Sequence, residues 1–552
     1  MLEGCIAWPE EYAQLYREKG YWENITLSEM FEKSVEKYGS RVALVYKEES
    51  LTYAELGKKV NTLAYHLAQT GLKPLDKVIV QLPNIPEFVY TYIALVKIGV
   101  IPVMALPPHR LTEISHFVKY SGAVGYFIPA VARKFDYRDM AEEVQKEHQT
   151  LKYIFVAGEV NKGQISLDEM LEAPVESEEK LNQLAKYLPD PAEVALMLLS
   201  GGTTALPKLI PRTHNDYVLN CKQSGLVGGY NEDTVYLAVL PLAHNFTLAS
   251  PGILAAFAYG GKVVISPGTD AETVFPLIEK EKVSVIGAAV PLVSNWLNSS
   301  VPAQYNLESL KVIQNGGMRL PTELRKRVTE QFGCIPQEVY GTAEGLLNMT
   351  RLDDQGDILL NSSGVPVHDA DEIKVVDDFG NEVPDGEAGE LLCRGPYTIR
   401  GYYNAPEINK QAFTEDGFYH MGDIVRKIGR YVYAEGRKKE IINRGGEKIS
   451  CDEIENFIYA HPKVKEVCLV GMPDEVFGEK ACAFIVPKLG ETITFKELID
   501  FLMTLNIAKF KWPERLEVVE MLPISPAGKI LKRALKEMIT GKLEQEKASK
   551  IR

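Results

Sequence analysis

The sequence predicts an α/β protein built as a large N-terminal domain, residues 1–436, followed by a small α+β domain, residues 437–552. The large part is expected to hold layered α/β subdomains plus a β-rich subdomain. Three observations lead there: short apolar runs alternate with amphipathic stretches from residue 77 to 314, the texture changes after Gly364, and a polar segment, GRKKEIINRGG, interrupts the chain at 436–446. A chain of 552 residues is also too long for one ordinary hydrophobic core.

The runs at 77–82, 235–240, 262–266, 283–289 and 311–314 are apolar or β-branched and end in Gly, Pro or polar residues. Between them, 86–97 and 271–280 carry apolar residues at helical spacing. Such alternation predicts buried, largely parallel strands with helices packed on them. After Gly364, EIKVVDD at 372–378 and GELLCRG at 389–395 read as shorter, more exposed strands. The 436–446 segment is rich in cations and glycine and has little to bury, so it reads as a linker or hinge. Beyond it follow a helix at 451–460, strands at 464–470 and 481–487, a helix at 495–505 and a strand at 515–519.

Composition narrows the class. With 45% hydrophobic and 25% charged residues the chain reads as a soluble globular protein. A net charge of -14 argues against nucleic acid as a partner, since phosphate affinity needs clustered Lys and Arg. The acidic excess lies in the large part, because residues 437–552 hold 21 Lys and Arg against 18 Asp and Glu. Seven scattered cysteines, with no CxxC pair, read as reduced thiols. No basic, apolar leader and no run of about 20 apolar residues is visible. A cytoplasmic enzyme with no membrane partner is expected.

The first segment that carries chemistry is Ser200-Gly201-Gly202-Thr203-Thr204-Ala205-Leu206-Pro207-Lys208, directly after the apolar run 194–199. Glycines let backbone approach an oxyanion, hydroxyls and amides donate to it, and the lysine supplies charge. A strand-ending turn with a solvated lysine fits the same residues. It is not a Walker loop, because Lys208 lacks the flanking Gly and Ser/Thr. In order along the chain follow YGTAE (340–344), GYY (401–403), YHMGD (419–423), EGR (435–437), NRGGEK (443–448) and PISPAGK (523–529). This series resembles the adenylate-forming superfamily, whose members use ATP to turn a carboxylic acid into an acyl-AMP and then pass the acyl group to a thiol.

The resemblance implies roles residue by residue. Ser200, Gly201, Gly202, Thr203, Thr204 and Lys208 would cradle the phosphates of ATP. Gly316 and Gly317 would let adenine lie against backbone, beside Tyr340, Gly341 and Thr342. Asp423 would hold the ribose hydroxyls, and Arg437 the ribose or a phosphate. Glu344 would ligate Mg²⁺, which favours hard oxygen donors and substrate phosphates. Lys529 would enter the site during adenylation and bridge the carboxylate and the α-phosphate. Lys439 falls at the family's hinge, with Glu440 where many relatives have Asp. Gly445, Gly446 and Lys448 would line the path of a pantetheine thiol. One departure is Ala205, where relatives usually have Gly; were that position to need positive φ, Ala would be strained by about 1 kcal/mol.

Within the superfamily, NRGGEK, LPLAHNFTLASPG (240–252), KLIPRTH (208–214) and ALPPHR (105–110) resemble the stand-alone aryl-acid adenylating enzymes of siderophore pathways. That subgroup passes its aryl group to a phosphopantetheinylated aryl carrier protein. Asn245 would then read a 2-hydroxyl beside the carboxylate, with His244 and Phe246 framing the ring. Ser250 points to 2,3-dihydroxybenzoate, whereas Leu347 resembles salicylate enzymes. The serine decides for 2,3-dihydroxybenzoate, because an unpaired 3-hydroxyl would cost about 1–3 kcal/mol. Salicylate, an aryl- or acyl-CoA ligase and a non-catalytic nucleotide-binding module are the alternatives.

Overall fold

The computed structural model describes residues 1–550 apart from 176, 201–206, 446, 506, 526 and 527. Among them the strands form four main sheets and a short two-stranded ribbon. The largest sheet runs in the order Val365–Pro366, Gly345–Met349, Ile335–Thr342, Val312–Gly316, Val285–Ala288, Val235–Ala238, Lys262–Ile265, Val42–Tyr46, Glu49–Thr52. Its six central strands are parallel and its edges antiparallel. A second, seven-stranded sheet places Val194–Leu199 between Ile101–Met104 and Leu209–Thr213. The alternation of apolar runs and amphipathic stretches thus does report parallel strands and crossover helices.

Helix Pro86–Lys97 illustrates the layering. It begins with Pro at its first position, where the missing N–H costs nothing, and buries every residue from Phe88 to Val96. A helix apolar on all sides must lie inside, and this one packs on helices Leu27–Tyr38 and Tyr53–Gln69. The strands expected after Gly364 are Glu372–Val376 and Ala388–Arg394, which join Tyr419–Ile428 and Tyr431–Arg437 in an antiparallel four-stranded sheet.

The chain beyond Arg437 forms a smaller domain on its own sheet: Glu447–Ile449, Ile442–Arg444, Gly478–Pro487 and Val464–Asp474, with Arg515–Val518 beside Gly478–Pro487. This corrects the reading of 436–446 as a linker throughout. Ile442–Arg444 and Glu447–Ile449 pair as a hairpin, with Ile442 and Ile449 fully buried, so only Lys438–Ile441 connects the sheets. The helix Lys532–Lys550 was not foreseen, because its apolar positions are sparse among lysines and glutamates. All seven cysteines are unpaired. No helix among the described residues is long and apolar enough to cross a membrane.

Candidate active site

Four neighbouring parallel strands, Val235–Ala238, Val285–Ala288, Val312–Gly316 and Ile335–Thr342, end along one edge of the large sheet. Open α/β sheets bind ligands outside such carboxyl ends. The residues that follow the four ends, Leu240 to Ser250, Ala289, Gly317 and Glu344, are therefore brought together. Over them lie Ser525, Gly528 and Lys529 of the small domain. Ser525 is bonded to Lys529, its N–H donating to Lys529 O at 2.6 Å and its Oγ accepting from Lys529 N at 3.0 Å. A Cβ on Gly528 would lie 3.5 Å from Ala289 Cβ, and one on Gly317 would lie 3.0 Å from Lys529 Cε. Gly317, at φ +88°, is thus the floor on which the lysine stem rests. Its neighbour Gly316 similarly makes room for Phe246, whose ring would be 2.9 Å from an added Cβ.

Charge converges on the same point. Asp423 Oδ1 pairs with Arg437 Nε at 2.8 Å, and Asp423 Oδ2 accepts from the Tyr340 hydroxyl at 2.7 Å. Burial raises the Asp423 pKa, while Arg437 and Tyr340 oppose the shift. Burial lowers the pKa of Lys529, and the Arg437 cation adds to this; Asp423, Glu344 and Glu440 pull it back up. Arg437 is held in place by Asp423 and also donates to Met421 O at 3.0 Å.

Glu344 is buried, and its Oε1 accepts from the Tyr402 hydroxyl at 2.8 Å, which in turn meets the Tyr419 hydroxyl at 3.1 Å. Lys208 lies over the Tyr402 ring, 4.0 Å from its centroid. Burial lowers the Lys208 pKa, Glu344 opposes the shift and Lys439 reinforces it, so these three charges share one field. Ser200 and Lys208 are joined directly, Ser200 Oγ accepting from Lys208 N at 2.9 Å. Gly201, Gly202, Thr203, Thr204 and Ala205 lie outside the described residues. Thr342 Oγ donates to Gly345 O at 3.3 Å and Gly341 packs against Leu347 Cδ1, which shapes the turn carrying Glu344. Tyr402 and Tyr419 sit in the GYY and YHMGD motifs, yet nothing in the sequence links two tyrosines 17 residues apart to one carboxylate.

Beside these strand ends lies a buried polar network. Helix His214–Val227 starts from a capping box in which Thr213 and Asp216 bond reciprocally. From its inner face Tyr217 donates to Asn245 Oδ1 at 2.7 Å, and Asn220 Nδ2 reaches Ser250 Oγ at 3.3 Å. Asn245 Nδ2 donates to the same Ser250 oxygen at 3.2 Å. The Asn245 amide is thus fixed in orientation, with one of its two N–H groups used among the described residues. His244 caps the short helix Asn245–Ala249 through Nδ1, and burial together with the Lys529 cation pushes its pKa down to about 3. It is neutral at physiological pH. Phe246 and Leu347 are both buried beside the strand ends. Tyr217 and Asn220 were missed by the sequence reading, although their spacing on one helix face was available.

The structure does not bring every expected residue to the pocket. Gly445 lies against Phe477, and Lys448 stands 3.7 Å from Asp378, so the described partners of that hairpin are elsewhere. Gly446 lies outside the described residues. Lys439 is exposed in the short connection between the two domains. Among the described residues no group of three or more His, Cys, Asp or Glu could hold a metal by itself.

Comparison with known proteins gives the family. The model of the AMP-binding enzyme family matches residues 31–403, and that of the AMP-binding enzyme C-terminal domain matches residues 453–529. The 2,3-dihydroxybenzoate-AMP ligase of Bacillus subtilis is 44% identical over 98% of this chain and 99% of its own. A salicylyl-CoA synthase / salicylate adenylyltransferase from a Streptomyces species is 40% identical over 99% of both chains. The apo structure of MbtA from Mycobacterium smegmatis superposes with a TM-score of 0.73 at 37% identity, covering 97% of this chain and 98% of that one. Fold and family models together define an AMP-binding enzyme with a large α/β domain and a small C-terminal domain. The chain belongs to the AMP-binding enzyme family.

Proposed function

We propose that the protein is a cytoplasmic aryl-acid adenylating enzyme that activates 2,3-dihydroxybenzoate with ATP and transfers the aryl group to the phosphopantetheine thiol of an aryl carrier protein in siderophore biosynthesis. The observation that carries this reading is the seating of Lys529 on Gly317, in the field of Asp423 and Glu344, which is the placement adenylation requires. In the first half-reaction a carboxylate oxygen attacks the α-phosphorus, the bond to the β-phosphate oxygen breaks, and pyrophosphate leaves. Lys529 holds two anions that would otherwise repel and stabilises the charge that builds between them. Asp423 orients the ribose, and Tyr340 holds Asp423.

Glu344 suits a magnesium ion: it is a buried carboxylate whose Oε2 makes no hydrogen bond among the described residues, and Mg²⁺ commonly takes one or two protein carboxylates plus substrate phosphates. When bound, the ion neutralises phosphate charge. In the second half-reaction the thiol sulfur attacks the aryl carbonyl, AMP leaves, and a thioester forms. We assign the domain boundary to 436/437 with Lys439 as hinge, and Gly445, Gly446 and Lys448 to the thiol path. In the pose of this structure that hairpin is turned to Asp378, as expected before the small domain rotates.

Substrate choice is tested by acid-dependent ATP–pyrophosphate exchange across a panel of benzoates. The remaining N–H of Asn245 is available to a 2-hydroxyl and Ser250 to a 3-hydroxyl. The expected order of kcat/KM is 2,3-dihydroxybenzoate, salicylate, benzoate, with steps of about 10-fold or more for each unpaired group. Ser250→Cys should narrow the gap between the first two, since a thiol is a weak hydrogen-bonding group. Salicylate preferred by the unmodified enzyme would mean that Leu347 outweighs Ser250. For the acceptor, holo carrier protein should be acylated far faster than coenzyme A at equal concentration; equal efficiencies would make the protein a CoA ligase.

A further inference from the structure

Helices need partners for their first N–H groups, and several helices here supply their own: Thr26, Thr52, Thr213, Ser450 and Thr494 each cap the helix they precede. Helix Thr322–Phe332 of the large domain cannot. Its N-cap is Pro321, which has no side-chain acceptor. The N–H of Thr322 is instead satisfied from the small domain, where Asn456 Oδ1 accepts it at 2.8 Å. The same amide returns a second bond, Asn456 Nδ2 to Thr322 Oγ1 at 3.2 Å, and Thr322 Oγ1 donates to Asn361 Oδ1 at 2.6 Å. Asn456 lies on helix Cys451–Tyr459, whose opposite side buries Ile454 and Ile458 in the small-domain core.

This cap exists only while the two domains hold the arrangement that also seats Lys529 on Gly317. We propose that Asn456 is a positioning residue for adenylation: by capping helix Thr322–Phe332 across the domain interface it biases the small domain toward the pose in which Lys529 faces the acid and ATP. The inference rests on the two-step reading given above. In the rotated pose the Thr322 N–H turns to water, so the bond contributes to the balance between poses without contributing to the fold of either domain. Other contacts cross between the domains, among them Ser294 Oγ to Lys465 O at 3.0 Å, Ser450 Oγ to Glu435 O and Lys448 beside Asp378, but none of these supplies the acceptor for the N-terminus of a large-domain helix.

The test separates the half-reactions in the full-length enzyme. Asn456→Ala should lower acid-dependent ATP–pyrophosphate exchange by about 2- to 10-fold, the range of a lost helix cap. Transfer from preformed aryl-AMP to the thiol should be unchanged or faster. Asn456→Asp keeps the acceptor and adds a negative charge at the helix N-terminus, so it should restore exchange to the unmodified level or above. Equal losses in both half-reactions, or a failure of Asp to rescue, would assign Asn456 an ordinary structural role. Exchange unaffected by Asn456→Ala would overturn this inference alone, whereas an unmodified enzyme without acid-dependent exchange would overturn the two-step reading and this inference with it.

Discussion

Replacing Lys529 with alanine is expected to lower aryl-adenylate formation by about 10²- to 10³-fold, the cost of removing one preorganised donor from developing phosphoryl charge. The loss should fall on kcat, because the lysine is aimed at charge that grows in the transition state. Transfer from preformed aryl-AMP should survive, since Lys529 belongs to the small-domain face presented in the pose described here. The stem of the lysine rests on Gly317 and its backbone is bonded to Ser525, so the alanine variant should fold normally. The unmodified enzyme adds a pH test. Burial and Arg437 lower the pKa of Lys529, and a lysine is cationic only below its pKa. Adenylation by the free enzyme should therefore decline as pH rises at a value below that of an ordinary lysine, and this limb should vanish in Lys529→Ala. Equal losses in both half-reactions would contradict the assignment.

Glu344→Gln is expected to reduce adenylation by about 10²-fold, as for other losses of fixed charge at a phosphoryl centre. Glutamine keeps an acceptor for the Tyr402 hydroxyl, so the Tyr402–Tyr419 pair should stay in place and the melting temperature should change little. What is lost is the carboxylate, so a higher magnesium concentration should be needed for half-maximal rate, a shift that Lys529→Ala should not produce. The removal also acts on Lys208, whose pKa burial depresses and Glu344 supports. Without Glu344 that pKa falls further, and activity should decline at a lower pH than in the unmodified enzyme. An unchanged magnesium dependence would place the ion on other groups.

How far the sequence reaches can be judged from particular residues. Helix Pro86–Lys97 and the strand ending at Gly316 were legible because periodicity reports which side of an element is buried. The motif series marked Asp423, Arg437, Glu344 and Lys529 individually, since each sits in a short segment of unusual composition. The strand Ile442–Arg444 was misread as linker because one buried isoleucine among charged residues and glycines carries little periodic signal. Asn245 was legible in sequence as a candidate partner for a 2-hydroxyl, but not the bonds from Tyr217 and to Ser250 that fix its amide.

The sequence by itself determined the family, the α/β layering and the identities of the chemical groups, because backbone preference, hydrophobic period and local motifs are properties of neighbouring residues. Only the tertiary structure decided which of those groups meet. The pairs Tyr340 with Asp423, Tyr402 with Glu344, Thr322 with Asn456 and Gly317 with Lys529 join residues far apart in the chain. Their contact depends on strand order in the large sheet and on the pose of the small domain, and a single hydrogen bond or van der Waals contact across such a distance leaves no periodic trace in the sequence.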